Sequence, residues 1–428
     1  MNRLLVGVGQ EIITPPLGTM MMGYSPMRPA LSVHDDLHVT AFAFKTGNTT
    51  AMLLSADLCN IAYPQEEIRA AITAASGVPD GNIIISCTHT HSGPTAQGNE
   101  PGSAYVNSVF MPKAAAAAKA AVENLKPAQM GIGTTYSDVA VNRRQIHENG
   151  QIILGQNPYG SWDPTMTVIA FRKHDGTPIG NIIQYGCHNT ASGKNDEVSR
   201  DWCGVAIDRL QELTGGVTAF INGCGGDCGP RLPNGQTTGN LKMAQELGGK
   251  AGIDAMRAYH SIRQWRDVSM KVLHTELQLP LAELGTPEQL QSQINSMGDP
   301  AALQGIALNT YRHLTNRLNY LLQGNIPPKT RPIARTLIAL GDLAICPLPF
   351  EIFSIITLRI KEGSPFPYTL VPGYSNGSLS YFPSMDQIIR GGYEIEMFKS
   401  NNIVPFADDA EQALVTGNLQ LLRKLYRM

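Results

Sequence analysis

The stretch that most constrains the fold is residues 81–96, GNIIISCTHTHSGPTA, where a short apolar run leads directly into two histidines. Three consecutive isoleucines that begin two residues after Gly81 are typical of a buried strand, and the Ser-Gly-Pro at 92–94 is typical of the loop that ends it. We therefore expect His89 and His91 at the carboxyl end of a central strand, the edge where ligands gather in open α/β sheets. Because residues i and i+2 of a strand point to the same side, both imidazoles can face one pocket. Ordinary loop hydrogen bonds are the alternative explanation.

Composition narrows the class of protein. The chain has 428 residues, of which 43% are hydrophobic and 16% charged, so a large core is available and disorder is excluded. A net charge of -2 gives no reason to expect a nucleic acid or a membrane surface as a partner. No apolar run approaches the roughly 18 residues of a membrane span, and the N-terminus lacks the apolar segment of a signal peptide. We expect a cytoplasmic protein without a membrane span, and the oligomeric state is left open.

Seven cysteines in no compact, regular pattern indicate reduced thiols. Apolar periodicity and turn residues predict an α/β fold with mixed β-sheets flanked by helices, because strands outnumber clear βαβ units. Strands are predicted at 3–14, 38–45, 51–56, 83–85, 128–141, 165–172, 179–187, 217–221, 267–279, 333–348 and 366–372. Helices are predicted at 64–76, 107–125, 203–213, 239–259, 351–362 and 408–426. With no repeat or linker, we expect a single domain over 1–428.

Residues 286–323 lack the strand pattern of the rest of the chain. They are predicted to be a helical insertion of two helices, about 286–297 and 300–323. Tyr311, Leu314 and Leu318 belong to an apolar stripe at helical spacing, which is more often core than binding site. The insertion could be a lid, a dimer contact or a buttress of the scaffold.

Side chains able to catalyse or to bind a metal recur at the ends of predicted strands: His89, His91, Arg143, His188, Asp227, Glu351, Tyr381 and Tyr393. Loops on a rigid scaffold commonly carry functional residues in this way. Catalytic zinc commonly takes three His or carboxylate ligands and keeps one open position, and His89, His188 and Glu351 could supply them. No compact HExxH spacing is present, so on residues alone the metal site and ordinary burial are about equally supported.

Motifs in a fixed order across residues 5–395 then carry a family resemblance: GVGQEIITPP, MMGY, THTHSGP, VNRR, CHNT with SRDWCG, GGDCGP, LPFE, and GYSNGSLSYFPS followed by GGYE. The chain resembles the neutral/alkaline ceramidase family of zinc amidohydrolases, specifically its catalytic domain. THTHSGP at 88–94 is the most specific match. The resemblance is to a short bacterial-type member that lacks the C-terminal β-sandwich domain of the true ceramidases.

The resemblance implies a zinc ion (Zn2+) as cofactor and assigns residues to its site. The implied zinc ligands are His89, His188, Glu351 and Tyr381, and the implied neighbours of the scissile carbonyl are His91, Arg143 and Tyr393. For the two tyrosines, burial with a satisfied hydroxyl would be the favoured explanation without the resemblance.

The expected mechanism is attack by metal-activated water on an amide or ester carbonyl. His91 would move the proton toward the leaving group, because imidazole titrates near neutral pH. Arg143 and Tyr393 would donate hydrogen bonds to the developing oxyanion. Asp227, which lies in a glycine-rich turn, or Asp201 would orient a ligand histidine, and Asp227 is preferred.

One departure from the family pattern concerns the substrate. The ceramidases carry a serine in a Gly-Asp-x-Ser-Pro stretch, and Gly229 stands in its place here. Cys228, one residue earlier, is an alternative nucleophile. More often, a cysteine beside glycines is present only because its side chain is small enough to pack there. We expect a zinc hydrolase acting on the amide bond of a small or lipid-like, amphiphilic substrate. The alternatives are a true ceramidase, an ester or lactone hydrolase, and a non-catalytic zinc-binding protein.

Overall fold

The computed structural model describes residues 3–428, and the first two residues of the expected domain lie outside the described residues. In chain order the strands are β1 (Leu5–Ile12), β2 (Met20–Met21), β3 (Arg28–Pro29), β4 (Ser32–Val33), β5 (His38–Thr46), β6 (Thr49–Ala56), β7 (Ile83–Cys87), β8 (Lys126–Pro127), β9 (Gln129–Tyr136), β10 (Ala140–Ile146), β11 (Ile152–Asn157), β12 (Thr165–Arg172), β13 (Pro178–Tyr185), β14 (Glu197–Val198), β15 (Val217–Asn222), β16 (Cys228–Pro230), β17 (Met270–Pro280), β18 (Thr330–Leu340), β19 (Leu343–Ile345), β20 (Glu351–Ile352), β21 (Tyr368–Leu370) and β22 (Tyr381–Phe382).

The α-helices alternate with these strands in irregular order. They are α1 (Gln65–Ser76), α2 (Gly102–Tyr105), α3 (Met111–Glu123), α4 (Asp201–Thr214), α5 (Leu241–His260), α6 (Pro287–Ser296), α7 (Gly305–Leu322), α8 (Ser354–Gly363), α9 (Met385–Ile388), α10 (Tyr393–Ser400) and α11 (Ala410–Arg427). A π turn (Val106–Phe110) joins α2 to α3, and 3-10 turns lie at Asp80–Asn82 and Pro300–Ala302. Within residues 3–428, no helix combines the length and apolarity needed to cross a lipid bilayer.

The sheets are mixed, which confirms the predicted fold class. One sheet has the order β7-β6-β5-β1-β8 and a second has the order β15-β13-β12-β9. In each sheet one pair is parallel, β6 with β7 and β13 with β15, whereas the pairs along the rest of the sheet are antiparallel. Loops that leave the carboxyl ends of these parallel strands can therefore meet at one edge of the scaffold.

Strand β7 lies at the edge of its sheet, so the expectation of a central strand is wrong. All five of its residues are nevertheless buried, because another segment covers the free edge. The backbone N–H of Cys87 donates to the Tyr374 carbonyl at 3.0 Å, and that of Asn376 donates to the Ile85 carbonyl at 2.7 Å. The isoleucine run correctly indicated burial but could not distinguish a paired interior strand from a covered edge.

Three other predicted elements are corrected. The single strand expected at 333–348 is a hairpin of β18 and β19, which turns between Leu340 and Leu343. The single strand expected at 128–141 is divided into β9 and β10, because the chain leaves the sheet at Ser137, whose N–H donates to the Pro164 carbonyl at 2.8 Å. Strand β10 then pairs with β16 in a separate three-stranded sheet. Glu351 does not open a helix but lies on the short strand β20, and α8 begins at Ser354.

The alternating glycines near the N-terminus have a packing role. Helix α3 lies against β1, and a side-chain carbon at Gly9 would collide with the backbone oxygen of Ala117. Helix and strand can approach this closely only because neither residue carries a large side chain. This close contact holds α3 against the sheet whose strand β7 leads into the His89 loop.

The helical insertion is confirmed as a hairpin of α6 and α7. Its inner face has a small apolar cluster of its own, formed by Leu290, Ile294, Leu314 and Leu318. Helix α7 contacts α10 and the loop after it, where Arg317 Nε donates to the Ile403 carbonyl at 2.9 Å. Of the three roles considered, these contacts favour a buttress for α10. The extent of a single domain over 1–428 stays a prediction.

Candidate active site

Two loops from different parts of the chain meet at the carboxyl ends of the parallel strands. His89 lies two residues after β7, and His188 lies three residues after β13. A parallel bridge between Thr90 and Asn189 joins the two loops, and the N–H of His91 donates to the Asn189 carbonyl at 3.2 Å. This bridge connects the two main sheets at the point where the histidines lie.

Strand register brings the other two expected ligands together. Strand β20 pairs in parallel with β22, with Glu351 directly opposite Tyr381. Side chains at opposite positions on neighbouring strands lie within contact distance. The short pairing of β20 with β22 thus places two residues that are thirty positions apart in sequence side by side.

The four residues expected to hold zinc converge on one point. Ligand atoms of His89, His188 and Glu351 lie within 4.8 Å of one another. Glu351 Oε2 is 3.2 Å from His188 Nε2 and 3.5 Å from His89 Nε2. The Tyr381 hydroxyl is 3.4 Å from His188 Nε2. The group has the His and carboxylate composition of catalytic zinc sites.

Hydrogen bonds to backbone carbonyls determine which ring nitrogen of each histidine faces this point. His89 Nδ1 donates to the Cys59 carbonyl and His188 Nδ1 donates to the Gly225 carbonyl, each at 2.7 Å. Because a carbonyl only accepts, both Nδ1 atoms carry the proton and both Nε2 lone pairs point to the shared centre.

Glu351 has a buried carboxylate oxygen without a hydrogen-bond donor, and a bound cation would compensate its charge. Its Oε2 atom is buried and accepts no hydrogen bond from the described residues. Two nitrogen lone pairs and a carboxylate oxygen directed at one point are costly to bury without a compensating positive charge. The donor set therefore fits a divalent metal ion such as zinc.

The electrostatics of the group also suit metal binding. Burial lowers the pKa of His89 to about 3 and lowers the pKa of His188 as well, so both imidazoles are neutral at pH 7. Burial opposes ionisation of Glu351, whereas positive charge beside it at the positions of His89 and His188 lowers its pKa. Because both imidazoles are neutral, a bound cation would supply that charge. Neutral imidazoles and an ionised carboxylate are the protonation states that a metal requires.

His91 reaches the same pocket, although not by strand alternation. Strand β7 ends at Cys87, and His89 has a left-handed backbone with φ of 69°. His91 Nε2 still lies 3.2 Å from His89 Nε2. A non-glycine residue in this conformation costs about 1–3 kcal/mol, and such strain is concentrated at functional sites. The ring of Tyr374, also left-handed, stacks on His89 with a centroid distance of 4.0 Å.

Arg143 and Tyr393 lie on the other side of Tyr381. Arg143 Nη2 donates to the Tyr381 hydroxyl at 2.9 Å, and its Nε donates to Glu394 at 2.8 Å. The rings of Tyr381 and Tyr393 are 5.7 Å apart in an edge-to-face arrangement, and Tyr393 is 38% exposed. Arg143 Nη1 and the Tyr393 hydroxyl form no hydrogen bond with any residue from 3 to 428, so both are available to a substrate.

Asp227 was expected to orient a ligand histidine, but its carboxylate contacts neither His89 nor His188. Its carboxylate accepts from the Ser354 N–H at 2.7 Å and from Asn142 Nδ2 at 3.1 Å, while its carbonyl accepts from the Arg143 N–H at 2.7 Å. It therefore braces the strand that carries Arg143, and backbone carbonyls orient the two histidines instead. Asp201, the other candidate, accepts from the N–H of Ser192 at 2.8 Å and so shapes the loop after His188.

The stretch that departs from the family pattern is tightly packed. Cys228 is fully buried on β16, and burial raises the pKa of its thiol well above the ordinary value, which disfavours the nucleophilic thiolate. A side-chain carbon at Gly229 would lie 2.6 Å from Cβ of Thr237. A serine does not fit there unless Thr237 moves.

Sequence reasoning missed three residues that shape the site: Cys59, Tyr374 and Glu394. Cys59 follows β6 at the same sheet edge as His89, and that placement was the available signal. Tyr374 and Glu394 both lie inside the motifs GYSNGSLSYFPS and GGYE, so inspection of every polar residue in these motifs would have found them.

Comparison with known proteins is consistent with this geometry. The sequence profile of the family described as neutral/alkaline non-lysosomal ceramidase, N-terminal, matches residues 4–243. The fold is similar to that of neutral ceramidase from Pseudomonas aeruginosa, with a TM-score of 0.73 and 19% identity over 99% of this chain and 75% of that chain. A structure described as ceramidase complexed with C2 gives a TM-score of 0.72 and 17% identity over 100% and 76%. Comparison with curated proteins gives no match.

Proposed function

Because the chain belongs to the neutral/alkaline non-lysosomal ceramidase family and is thus a hydrolase, we propose that it is zinc-dependent and cleaves an amide bond of a small or amphiphilic substrate. The observation that carries the proposal is the convergence of His89 Nε2, His188 Nε2 and Glu351 Oε2, none of which carries a proton at pH 7. Tyr381 completes the set as a fourth ligand.

A zinc ion in this set would polarise a substrate carbonyl and lower the pKa of a water molecule to about 7. The backbone carbonyls of Cys59 and Gly225 keep the two ligand imidazoles in the required tautomer. The family match and the chemistry of the donors both support zinc as the ion.

His91 is the proposed proton carrier. Its Nε2 lies 3.2 Å from a ligand nitrogen, within reach of a water molecule or a leaving amine at the same centre. Burial lowers the pKa of His91 well below its ordinary value, so the ring is neutral and can accept a proton only as the reaction delivers it. Its Nδ1 has no partner among the described residues, so no hydrogen bond fixes the tautomer. Proton transfer by a positioned imidazole typically contributes about 10²–10⁴-fold to a rate.

Arg143 and Tyr393 are the proposed donors to the developing oxyanion. The guanidinium is anchored through Nε and Nη2, which leaves Nη1 as the nitrogen that can donate to a substrate. The Tyr393 hydroxyl has no described partner, and its ring is packed against Tyr381. Both donors are in place before substrate arrives, which is the condition under which such hydrogen bonds lower a barrier most.

Family membership favours one specific second candidate, a true ceramidase that hydrolyses N-acylsphingosine. Gly229 separates the two candidates, because the serine of the family's Gly-Asp-x-Ser-Pro stretch is missing and its space is filled by Thr237. Esters and lactones are the remaining substrate class, since the same centre would polarise their carbonyls as well.

The test combines metal analysis with a substrate panel. Elemental analysis of purified protein should give one zinc per chain, and a chelator should abolish turnover that added zinc restores. A panel of N-acyl amides, N-acylsphingosine, esters and lactones should show amide hydrolysis as the fastest reaction. His188→Ala should lose zinc and turnover, whereas His147→Ala, which changes an exposed histidine outside the site, should lose neither.

Two results would overturn the proposal. Turnover that persists in protein shown to be free of metal would exclude zinc dependence. Stoichiometric zinc without turnover of any amide, ester or lactone would instead indicate a non-catalytic zinc-binding protein.

A further inference from the structure

A second group of possible metal ligands adjoins the first and includes a sulfur. Cys59 Sγ, a ring nitrogen of His89 and a ring nitrogen of His91 lie within 4.8 Å of one another. The Nε2 atoms of the two histidines are 3.2 Å apart. Cys59 Sγ is 3.8 Å from His89 Nδ1, but Nδ1 donates its proton to the Cys59 carbonyl, so Nε2 is the His89 atom open to an ion. Three donor atoms are thus gathered at a place that the proposed hydrolytic reaction uses only in part.

The positions of these donors are fixed by the fold. Cys59 follows β6 and is only 3% exposed, and its carbonyl accepts from His89 Nδ1. The N–H of His89 donates to the Leu58 carbonyl at 2.9 Å, so the two loops are tied at adjacent residues. His91 Nδ1 is buried with no partner in residues 3–428, so no hydrogen bond fixes the tautomer of this ring, and Nε2 can face the set as an unprotonated ligand.

We propose that Cys59, His89 and His91 form a second coordination set that captures a soft divalent cation and thereby inhibits the hydrolase. A thiolate with two imidazoles favours soft and borderline ions such as Cd2+ over Mg2+ or Ca2+. When the sulfur–metal bond forms, the thiol proton is released to solvent.

Inhibition follows because the two sets share a residue. His89 belongs to both groups, so an ion held through sulfur competes with one held by His188 and Glu351. The same ion would also occupy His91, the proposed proton carrier. This inhibitory consequence rests on the function proposed above, whereas the coordination set itself does not.

Titration of the full chain with Cd2+ tests the coordination set directly. Sulfur-to-cadmium charge transfer should appear in the ultraviolet and saturate at one equivalent. Cys59→Ser should abolish this band. Cys87→Ser should retain it, because that thiol lies at the end of β7 and belongs to neither group. An equally strong band in Cys59→Ser would overturn the proposal.

Activity supplies the second measurement, with each variant compared with its own uninhibited rate. The Cd2+ concentration that halves the rate should rise about tenfold or more in Cys59→Ser and stay unchanged in Cys87→Ser, since loss of a ligand costs at least what loss of an outer-shell partner does. Equal sensitivity of both variants would refute the inhibitory role. If zinc-loaded protein cleaves no amide at all, the proposed function fails while the charge-transfer result still decides the coordination set.

X-ray absorption at the cadmium edge gives a test that needs no variant. The Cd2+-loaded wild-type chain should show one sulfur neighbour together with nitrogen neighbours. A shell made only of nitrogen and oxygen would overturn the proposal even if Cys59→Ser does not fold.

Discussion

Substitution of Glu394, a residue outside the proposed zinc set, should impair both stability and turnover. Its side chain is 1% exposed and accepts from Arg143 Nε and Arg144 Nη1, each at 2.8 Å. Arg143 in turn donates to Tyr381, the proposed fourth ligand. Glu394 is also the second residue of α10 and directly follows Tyr393, so it ties one proposed oxyanion donor to the helix that carries the other.

The magnitude follows from burial. Removing one partner of a buried ion pair typically costs about 3–5 kcal/mol, because the remaining charge is left without compensation. Glu394→Gln keeps the shape but leaves Arg143 and Arg144 without a counter-charge, so we expect a loss of that size in the free energy of unfolding. A displaced Arg143 should also remove one oxyanion donor, which typically lowers kcat about 10²–10³-fold.

The assay compares Glu394→Gln with Glu396→Gln on the same helix. Glu396 forms no ion pair with any described residue, so its replacement should leave both unfolding and kcat unchanged. Urea unfolding gives the stability change, and steady-state kinetics on an amide substrate give kcat and KM separately. Zinc content should stay at one per chain in both variants, because Glu394 is not a ligand. If Glu394→Gln unfolds at the wild-type midpoint and keeps its kcat, the positioning argument is refuted.

The other predictions concern the remaining parts of the site and its surroundings. Cys228→Ala should keep turnover within about twofold and stay sensitive to a chelator, because a buried thiol with a raised pKa is a poor nucleophile; loss of turnover with zinc still bound would instead implicate the thiol. Tyr393→Phe should lower kcat about 10²-fold without changing zinc content, since one oxyanion donor is worth roughly 3 kcal/mol, and an unaltered kcat would remove that role. Chelation should lower the melting temperature, because a ligand at 100 times its Kd adds about 2.7 kcal/mol of stability; identical melting curves would argue against a bound ion. Burial raises the pKa of Asp57 to about 6, so the contribution of this carboxyl to stability is greatest below about pH 4, falls as pH rises to about 6, and is then level. Asp57→Asn should abolish that slope and be more stable than wild type at pH 7 by up to about 3 kcal/mol in urea unfolding, and a slope that survives the substitution would show that another group is responsible.

Residue types and local spacing were sufficient for several features of this protein. Apolar periodicity over a few residues was sufficient for the isoleucine run before His89, for strands β5 and β6, and for the two helices of the insertion. The polar residues at strand ends could also be predicted, because an apolar run and the histidine or glutamate that follows it lie within a few residues of each other in sequence. The order of the motifs indicated the family, and the family resemblance implied a role for each site residue.

Only the tertiary structure decided how these pieces meet. The placement of β7 at a covered edge, the bend at Ser137 that sends β10 to another sheet, and the opposition of Glu351 and Tyr381 all depend on partners far away in sequence. The tautomers of His89 and His188 depend on backbone carbonyls of Cys59 and Gly225, which no local pattern identifies. The same holds for Asp227, which braces Ser354 rather than a histidine. Periodicity records which face of an element is buried, whereas the identity of the neighbour on that face is set by the packing of the whole chain.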